Sequence, residues 1–448
     1  MDPLVVICPV LYVLCLVLLG VYIAYVYRKH GYVVSLFNVG LFQWYACIVL
    51  SPWYYFVDES WNSLHIQGEA VALVKPYLLQ SMLINYAGTA IFMVTLLVCA
   101  WRMSERFSSV ALVRRVANGI DSRLVFVFVV LAAAVFTFIC FRYNGTFPLL
   151  NAKRAFYLDK PFSPVYLLAS QLMSTLGLYE GLRWVARKGW VSFAAFLLCS
   201  ICLVLTGNRG SALLQLFLPV VLYWLYVRGI KKKGLAGLKR QTLAVLVAIA
   251  ITAVLGLVMQ SVRGGRGFGN VQAYATETLN GNTFCDVRDG AYLLMGFENR
   301  MNSEFLLGKT YAAGLISFVP SSMSPYRQEW SWGRFTTQKL SRWKHHFGFR
   351  GGNYLESYLN FGVVGVVIVA VVSAVVLAWQ EEMFRRVFLF GWESVQGGEI
   401  LVCSLVGQLS GFLVSSSGAY NGYVILGITV LLYFLSKLTF RIQRQKSS

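Results

Sequence analysis

An all-α integral-membrane bundle of about eleven transmembrane helices, carrying one large external loop, is the fold class the sequence predicts. Three observations predict it. Of 448 residues, 57% are apolar and only 13% are charged, against about 25% charge in a soluble chain. The mean hydropathy is +0.62, and several runs of 18 or more residues have almost no charge, each long enough to cross a hydrocarbon core of ~30 Å. Basic clusters follow alternate runs, as the preference of Lys and Arg for the cytoplasmic side requires.

Taken in order, the spans read 4–27, 33–56, 76–101, 124–141, 163–183, 190–207, 210–227, 242–262, 354–380, 396–416 and 419–440. The first has no basic segment before its apolar run, so it is expected to stay as a helix and not to be cleaved. Cytoplasmic anchors follow as Arg28 and Lys29, then Arg102, Arg106, Arg114, Arg115 and Arg123, then Arg183, Arg187 and Lys188. Arg228, Lys231, Lys232, Lys233, Lys239 and Arg240 continue the alternation, as do Arg385 and Arg386 and the tail Arg441, Arg444 and Lys446. The N-terminus is then external and the C-terminus cytoplasmic, in one integral-membrane domain over 1–448. Eight of nine cysteines lie in or beside apolar runs, where Cys packs as a small hydrophobe; only Cys285 falls in the large loop.

That loop, 263–353, is rich in Gly, Ser, Asn, Trp and Tyr, and a segment this long is usually functional. Its eight arginines (Arg263, Arg266, Arg288, Arg300, Arg327, Arg334, Arg342, Arg350) and three lysines face six acids. A net charge of +5 stands on the side where positive charge is sparse. The Arg excess matters because a planar guanidinium grips phosphate bidentately and an ammonium does not. Arg142, Lys153, Arg154 and Lys160 form a second external patch. Arg209 lies between two apolar spans, flanked by Gly207 and Gly210, at the external boundary. There a guanidinium is placed for an anionic head group, and adjacent phosphates on a lipid would occupy several such forks. The embedding in a membrane excludes nucleic acid as a partner.

Aromatic residues interleave with these arginines: Tyr326, Trp330, Trp332, Phe335, Trp343, Phe347 and Phe349. They read either as an interfacial belt or as platforms for sugar faces. For proton transfer the candidates are His345 and His346, just before the ninth span, and Glu356, one turn inside it, since a carboxylate within an apolar span is functional by default. Asp286 and Asp289 flank Arg288 and read as an ion pair. No external His/Cys/Asp cluster has metal-ligand spacing, so neither a metal nor another cofactor is expected.

Five stretches, in order, resemble the Wzy-type O-antigen polymerases of the bacterial inner membrane, within the wider O-antigen ligase-related group. They are "LNAKRAFY" with Arg154 and Tyr157, "TGNRGSA" with Arg209, "DVRDGAYLL" with Arg288, "LISFVPSSMSPYR" with Arg327, and "GNYLESYLNFGVVG" with Asn353 and Glu356. They cover 149–365, about half the chain. The resemblance implies a metal-independent glycosyltransferase that joins undecaprenyl-pyrophosphate-linked repeat units at the periplasmic face, with a chain-length regulator as partner. Arg154, Tyr157, Arg209 and Arg288 would bind substrate, together with Arg263, Arg266, Arg327, Arg350 and Asn353. His346, Glu356 or His345 would be the base. One departure stands out: Gly351, Gly352 and Asn353 occupy the place where the ligase-like pattern has His-Asn. An O-antigen ligase using lipid A core as acceptor, and a lipid-linked glycan flippase, remain as alternatives.

Overall fold

A computed structural model of the chain describes residues 3–30, 71–102, 122–150, 163–208, 210–227, 235–263, 286–317, 323–341, 351–389 and 430–438. A few single positions between them are also described: 41, 45, 48, 49, 319, 349, 427 and 428. Among these residues the secondary structure is helical throughout. The spans at 33–56 and 396–416 lie essentially outside the described residues. So do Arg154, Tyr157, Arg209, Arg266, Cys285, His345, His346 and Arg350.

Helix α1 (Pro3–His30) and α2 (Val71–Arg102) correspond to the first and third predicted spans, and α3 (Ser122–Asn144) to the fourth. Helices α1 and α2 pack on one another through a constant register. Cys8 Sγ donates to Leu79 O and Cys15 Sγ to Tyr86 O, both at 3.4 Å, and Lys29 Nζ donates to Ala100 O at 3.0 Å, each pair 71 residues apart. A constant offset means that α1 and α2 run parallel, so the chain between them must return to its starting end. Lys29 and Arg102 then fall at the same end of the pair, as the alternation of basic clusters requires.

A second cluster follows. Helix α4 (Ser163–Arg187) runs through its centre, with residues 173–182 all buried. It is less apolar than the helices that qualify as membrane spans, because its hidden middle carries Ser174, Thr175 and Glu180. Small residues four apart, Gly177 and Gly181, let α5 (Trp190–Leu205) approach closely: a side chain at either would meet Cys199 or Phe196 at 2.7 Å. Cys199 and Cys202 are core residues of this cluster. The expected span 210–227 begins as a π-helical segment, Gly210–Phe217, and continues as α6 (Leu218–Val227). Helix α7 (Leu235–Arg263) ends at Arg263.

The chain past 285 folds back onto the first cluster. Helix α8 (Asp286–Met301) buries an unbroken run from Gly290 to Phe297, and Val287 before it, against α2. Short helices α9 (Lys309–Leu315), α10 (Pro325–Trp330) and α11 (Trp332–Arg334) lead to a π-helical segment, Phe335–Ser341. The described part of the large loop is therefore a packed helical layer, because "AYLLMGF" at 291–297 supplies an apolar face that needs covering.

Helix α12 (Gly352–Leu389) occupies the ninth predicted span but is not one straight rod. Gly362 inside it has φ 65° and ψ −152°, and the chain reverses there. Asn353 Nδ2 lies 3.5 Å from Ser373 Oγ, although 20 residues separate them. In a straight helix they would be about 30 Å apart. A Cβ on Gly365 would meet Ser357 O at 2.4 Å, which places the two arms side by side. We call 352–361 the short arm and 363–389 the long arm. Glu381 and Glu382 on the long arm share a crevice with Lys29 and Ala100. The long arm thus ends with α1 and α2, and the hairpin tip points the other way. Among the described residues, four helical stretches suit a membrane crossing by length and composition: Pro3–His30, Pro76–Arg102, Arg123–Tyr143 and Gly352–Trp379. In the last of these, the long arm carries the apolar run.

Candidate functional site

The short arm is distinctive in what it buries. Asn353, Glu356, Ser357 and Asn360 follow a spacing of three, four and seven residues, which sets them on one helical face. All four are 3% exposed or less. Buried polar groups need partners, and the hairpin supplies several. Asn360 Nδ2 donates to Thr310 Oγ1 and to Glu356 O, each at 2.8 Å, while Asn360 Oδ1 accepts from Gly308 N at 2.9 Å. Leu306 N and Leu307 N donate to Leu359 O and Asn360 O at 3.0 and 3.1 Å. These bonds satisfy carbonyls that a helix end leaves open, and they bind the tip to 306–310.

The opposite face of the short arm is apolar. The Tyr354 ring lies over Gly88 of α2, so close that a Cβ there would meet it at 2.7 Å, and Leu355 packs beside Gly351 and Leu293. Facing the start of the arm, α2 presents its own polar row one turn apart: Ser81, Asn85 and Thr89, all at 0% exposure. The Ser81 hydroxyl donates to Val287 O at 2.8 Å and ties α2 to α8. Ser81 and Asn85 thus meet the starts of α8 and the short arm, while Glu356 lies buried on the arm's other face with Asn353 and Asn360.

Of the site residues expected from sequence, the structure places Asn353 and Glu356 on the buried polar face of the short arm. Arg288 is on α8, in the first turn, where its Nη2 and Nε sit 2.8 and 3.1 Å from Asp289 Oδ1, the ion pair that the spacing suggested. Arg327 donates to Val319 O, and its N–H is capped by the Ser324 hydroxyl. Arg300 donates to Leu340 O. Each of these guanidinium groups already serves a fold contact, which leaves only part of its fork for a ligand.

The aromatic residues divide. Trp332, Phe335 and Phe349 are core side chains, with Trp332 Nε1 donating to Phe349 O at 3.2 Å and Tyr292 stacked on Phe349 at 5.2 Å. They are neither belt nor sugar platform. Trp330 stacks on Phe335 and is covered by two ammonium groups, Lys309 at 4.6 Å and Lys339 at 4.2 Å from its centroid. Lys339 also bonds Glu329. That bond, ahead of any other cause, holds the Glu329 carboxyl below its ordinary value. Burial and the nearby Glu329 charge push the Tyr326 phenol up.

Sequence reasoning missed Asn85 and its row on α2. The signal was present as polar residues at 81, 85 and 89 in an otherwise apolar span. Among the described residues, no group of three His, Cys, Asp or Glu side chains gathers in a way that would hold a metal ion. Compared with known proteins, the chain matches no family, no curated protein and no solved structure.

Proposed function

We propose that this protein is an integral-membrane glycosyltransferase that polymerises oligosaccharide repeat units carried on a polyprenyl diphosphate, working at the external, periplasmic face of a bacterial inner membrane. The observation that carries the reading is Glu356: a fully buried carboxyl group on a half-length helix, next to a segment with eight arginines. Ionisable groups at such a position are expensive and are kept for function. The five-motif resemblance points to the same reaction.

In this reaction an acceptor hydroxyl attacks the anomeric carbon of the donor. The new C–O bond forms as the bond to the diphosphate breaks, and the lipid diphosphate departs with the bonding electrons. The hydroxyl proton goes to Glu356, with His346 and His345 as rivals. Arg154, Tyr157, Arg209, Arg263, Arg266, Arg288, Arg327 and Arg350 are the candidates to grip the donor, and guanidinium groups strengthen their hold as charge develops on the leaving group. Purified protein in detergent, given lipid-linked single repeat units, should produce a glycan ladder. Glu356→Gln should slow bond formation by about 10²- to 10⁴-fold with donor binding kept, and Arg209→Lys should lose the ladder because the fork is lost. A ligase would stay silent without lipid A core, and a silent wild type with every acceptor would sink the transferase reading.

One observation favours a second reading. Broken helices with polar faces are also how transporters build sites inside the bilayer, so the hairpin suits a lipid-linked glycan flippase. Bond formation in detergent, where no transmembrane gradient exists, would decide against it.

A further inference from the structure

Residues 305–307, Phe-Leu-Leu, are apolar where a connecting loop is expected to be polar. Leu306 is buried, yet Phe305 and Leu307 on either side stand exposed, Leu307 at 76%. Leu307 has φ 49° and Gly308 has φ 85°, a left-handed pair in which glycine sits without strain and leucine does not. The turn is held from inside, since Leu307 N donates to Asn360 O and Gly308 N to Asn360 Oδ1. The chain accepts strain at a leucine whose side chain is left uncovered.

Two rings join this loop to the hairpin tip. A Cβ on Gly362 would meet Phe305 Cζ at 3.1 Å, and one on Gly308 would meet Phe361 Cζ at 3.2 Å. Each ring therefore lies on the glycine of the other segment. Val363 follows at once, 70% exposed, and exposed Val364, Ile368, Val372 and Val375 carry an apolar face along the long arm at helical spacing. That arm belongs to a stretch suited to cross a membrane, and the loop continues its outer face past the turn.

Depth follows from the helix. Val363 and Glu381 are eighteen positions apart on the long arm, a rise of about 27 Å, close to the ~30 Å of a hydrocarbon core. Glu381 shares its crevice with Lys29, His30 and Glu382, so charged groups gather at that end. With that end at one boundary of the core, the tip and its loop fall at the other, within reach of acyl chains. What comes next suits the head-group layer. The Lys309 ammonium is 4.6 Å from the Trp330 centroid, and Lys309 O accepts from the Tyr326 hydroxyl at 3.1 Å. Trp and Tyr settle at that level, and an ammonium there meets lipid phosphate. A protein partner would need neither the match to one hydrocarbon thickness nor the join to the membrane-facing side of the long arm.

We propose that residues 305–307, with Phe361 and Val363, dip into the bilayer and anchor the large loop in phospholipid. The leaflet is the one farthest from Lys29, which the alternation of basic clusters makes the outer one. The loop is then fastened twice, to the short arm by hydrogen bonds and to lipid by Phe305 and Leu307. Such an anchor would serve a flippase as well as a transferase.

The test uses the full chain in nanodiscs of phosphatidylethanolamine with a minority of phosphatidylglycerol. An environment-sensitive fluorophore is attached to Leu307→Cys in a background without native cysteines, and to Val372→Cys as a reference within the core. At 307 the emission should shift to the blue and be lost to a phospholipid carrying a nitroxide near its head group. A nitroxide near the chain end should quench it less, and aqueous iodide should leave it unchanged. At 372 the order of the two lipid quenchers should reverse. Quenching at 307 by iodide and not by lipid would place the loop in water and overturn the anchor. Protection from iodide and from both lipids would overturn it too, and give the patch to a protein, whether a second copy or another chain. The wild type, cysteines intact, provides a reading free of any folding defect in the variants. A phospholipid with a diazirine high on its acyl chain should, on illumination, tag the peptide that holds 305–307. Tags confined to the membrane-spanning helices would count against the anchor as decisively as iodide quenching.

Discussion

Replacing Gly362 by alanine tests the hairpin at its turn. Gly362 occupies φ 65°, ψ −152°, a region essentially reserved for glycine, and an alanine held there costs about 1–3 kcal/mol. Its Cβ would approach Phe305 Cζ to 3.1 Å. Phe305 is 47% exposed, so its ring can swing aside and backbone strain dominates. The variant has one escape, which is to straighten α12 into a single rod. That breaks the bonds from Leu306 N to Leu359 O, Leu307 N to Asn360 O, Gly308 N to Asn360 Oδ1, and Asn360 Nδ2 to Thr310 Oγ1. At about 1 kcal/mol each, the loss is about 4 kcal/mol, before Glu356 and its polar neighbours lose their surroundings. Straightening is the costlier course, so the variant should keep the hairpin and lose roughly 1–3 kcal/mol. Thermal unfolding in detergent reads the loss. A cysteine pair at 353 and 373, in a background without native cysteines, reads the shape: a short cross-linker joins the arms of a hairpin but cannot span the ~30 Å of a rod. Failure to cross-link with Gly362 intact, or an unshifted midpoint in the alanine variant, would refute the reasoning.

Asn360→Leu removes the side-chain partners of Gly308 N and Thr310 Oγ1, and Thr310 is fully buried. At about 1–3 kcal/mol for each buried group left unpaired, it should destabilise by roughly 2–4 kcal/mol, read as earlier chemical denaturation and faster proteolysis between 304 and 311. For pH, Glu329 is held below its ordinary value by Lys339. Its contribution to stability is therefore present above the unfolded value, about 4.3, and is lost as pH falls through the lower folded value. The carboxylate is exposed, with 48% of its side chain open to solvent, so the effect is small. Lys339→Met should flatten the difference in thermal midpoint between pH 6 and pH 3, and an unchanged difference would remove the pair from the account.

The helices of the bundle could be read from the chain, and the hairpin could not. Runs at 4–27, 76–101 and 124–141 became α1, α2 and α3 with only a few residues added at each end, because uniform apolarity and flanking Arg and Lys leave little choice. The span expected at 354–380 is present, but its turn went unseen because averaged hydropathy ignores a single glycine. The local pattern held the clue: polar residues at helical spacing stop at Asn360, and a run rich in β-branched residues begins after Gly362. The same averaging hid Ser81, Asn85 and Thr89, whose importance depends on what α8 and the short arm bring against them. Glu356 was legible because one carboxyl group in an apolar span is conspicuous at any level of averaging.

The hairpin also constrains how the protein is made. Residues 363–380 can enter lipid directly from the insertion machinery, but the short arm cannot follow as an independent segment. It is ten residues long, too short to cross, and a bilayer would leave its two amides, its carboxyl group and its hydroxyls without partners. The arm has to wait at the membrane surface until the long arm gives it a wall, and α2, synthesised more than 250 residues earlier, gives it Gly88 as a footing. Seating the arm is therefore a late step of biogenesis, taken after insertion. A chain stalled before that step would already span the membrane while Glu356 was still unburied.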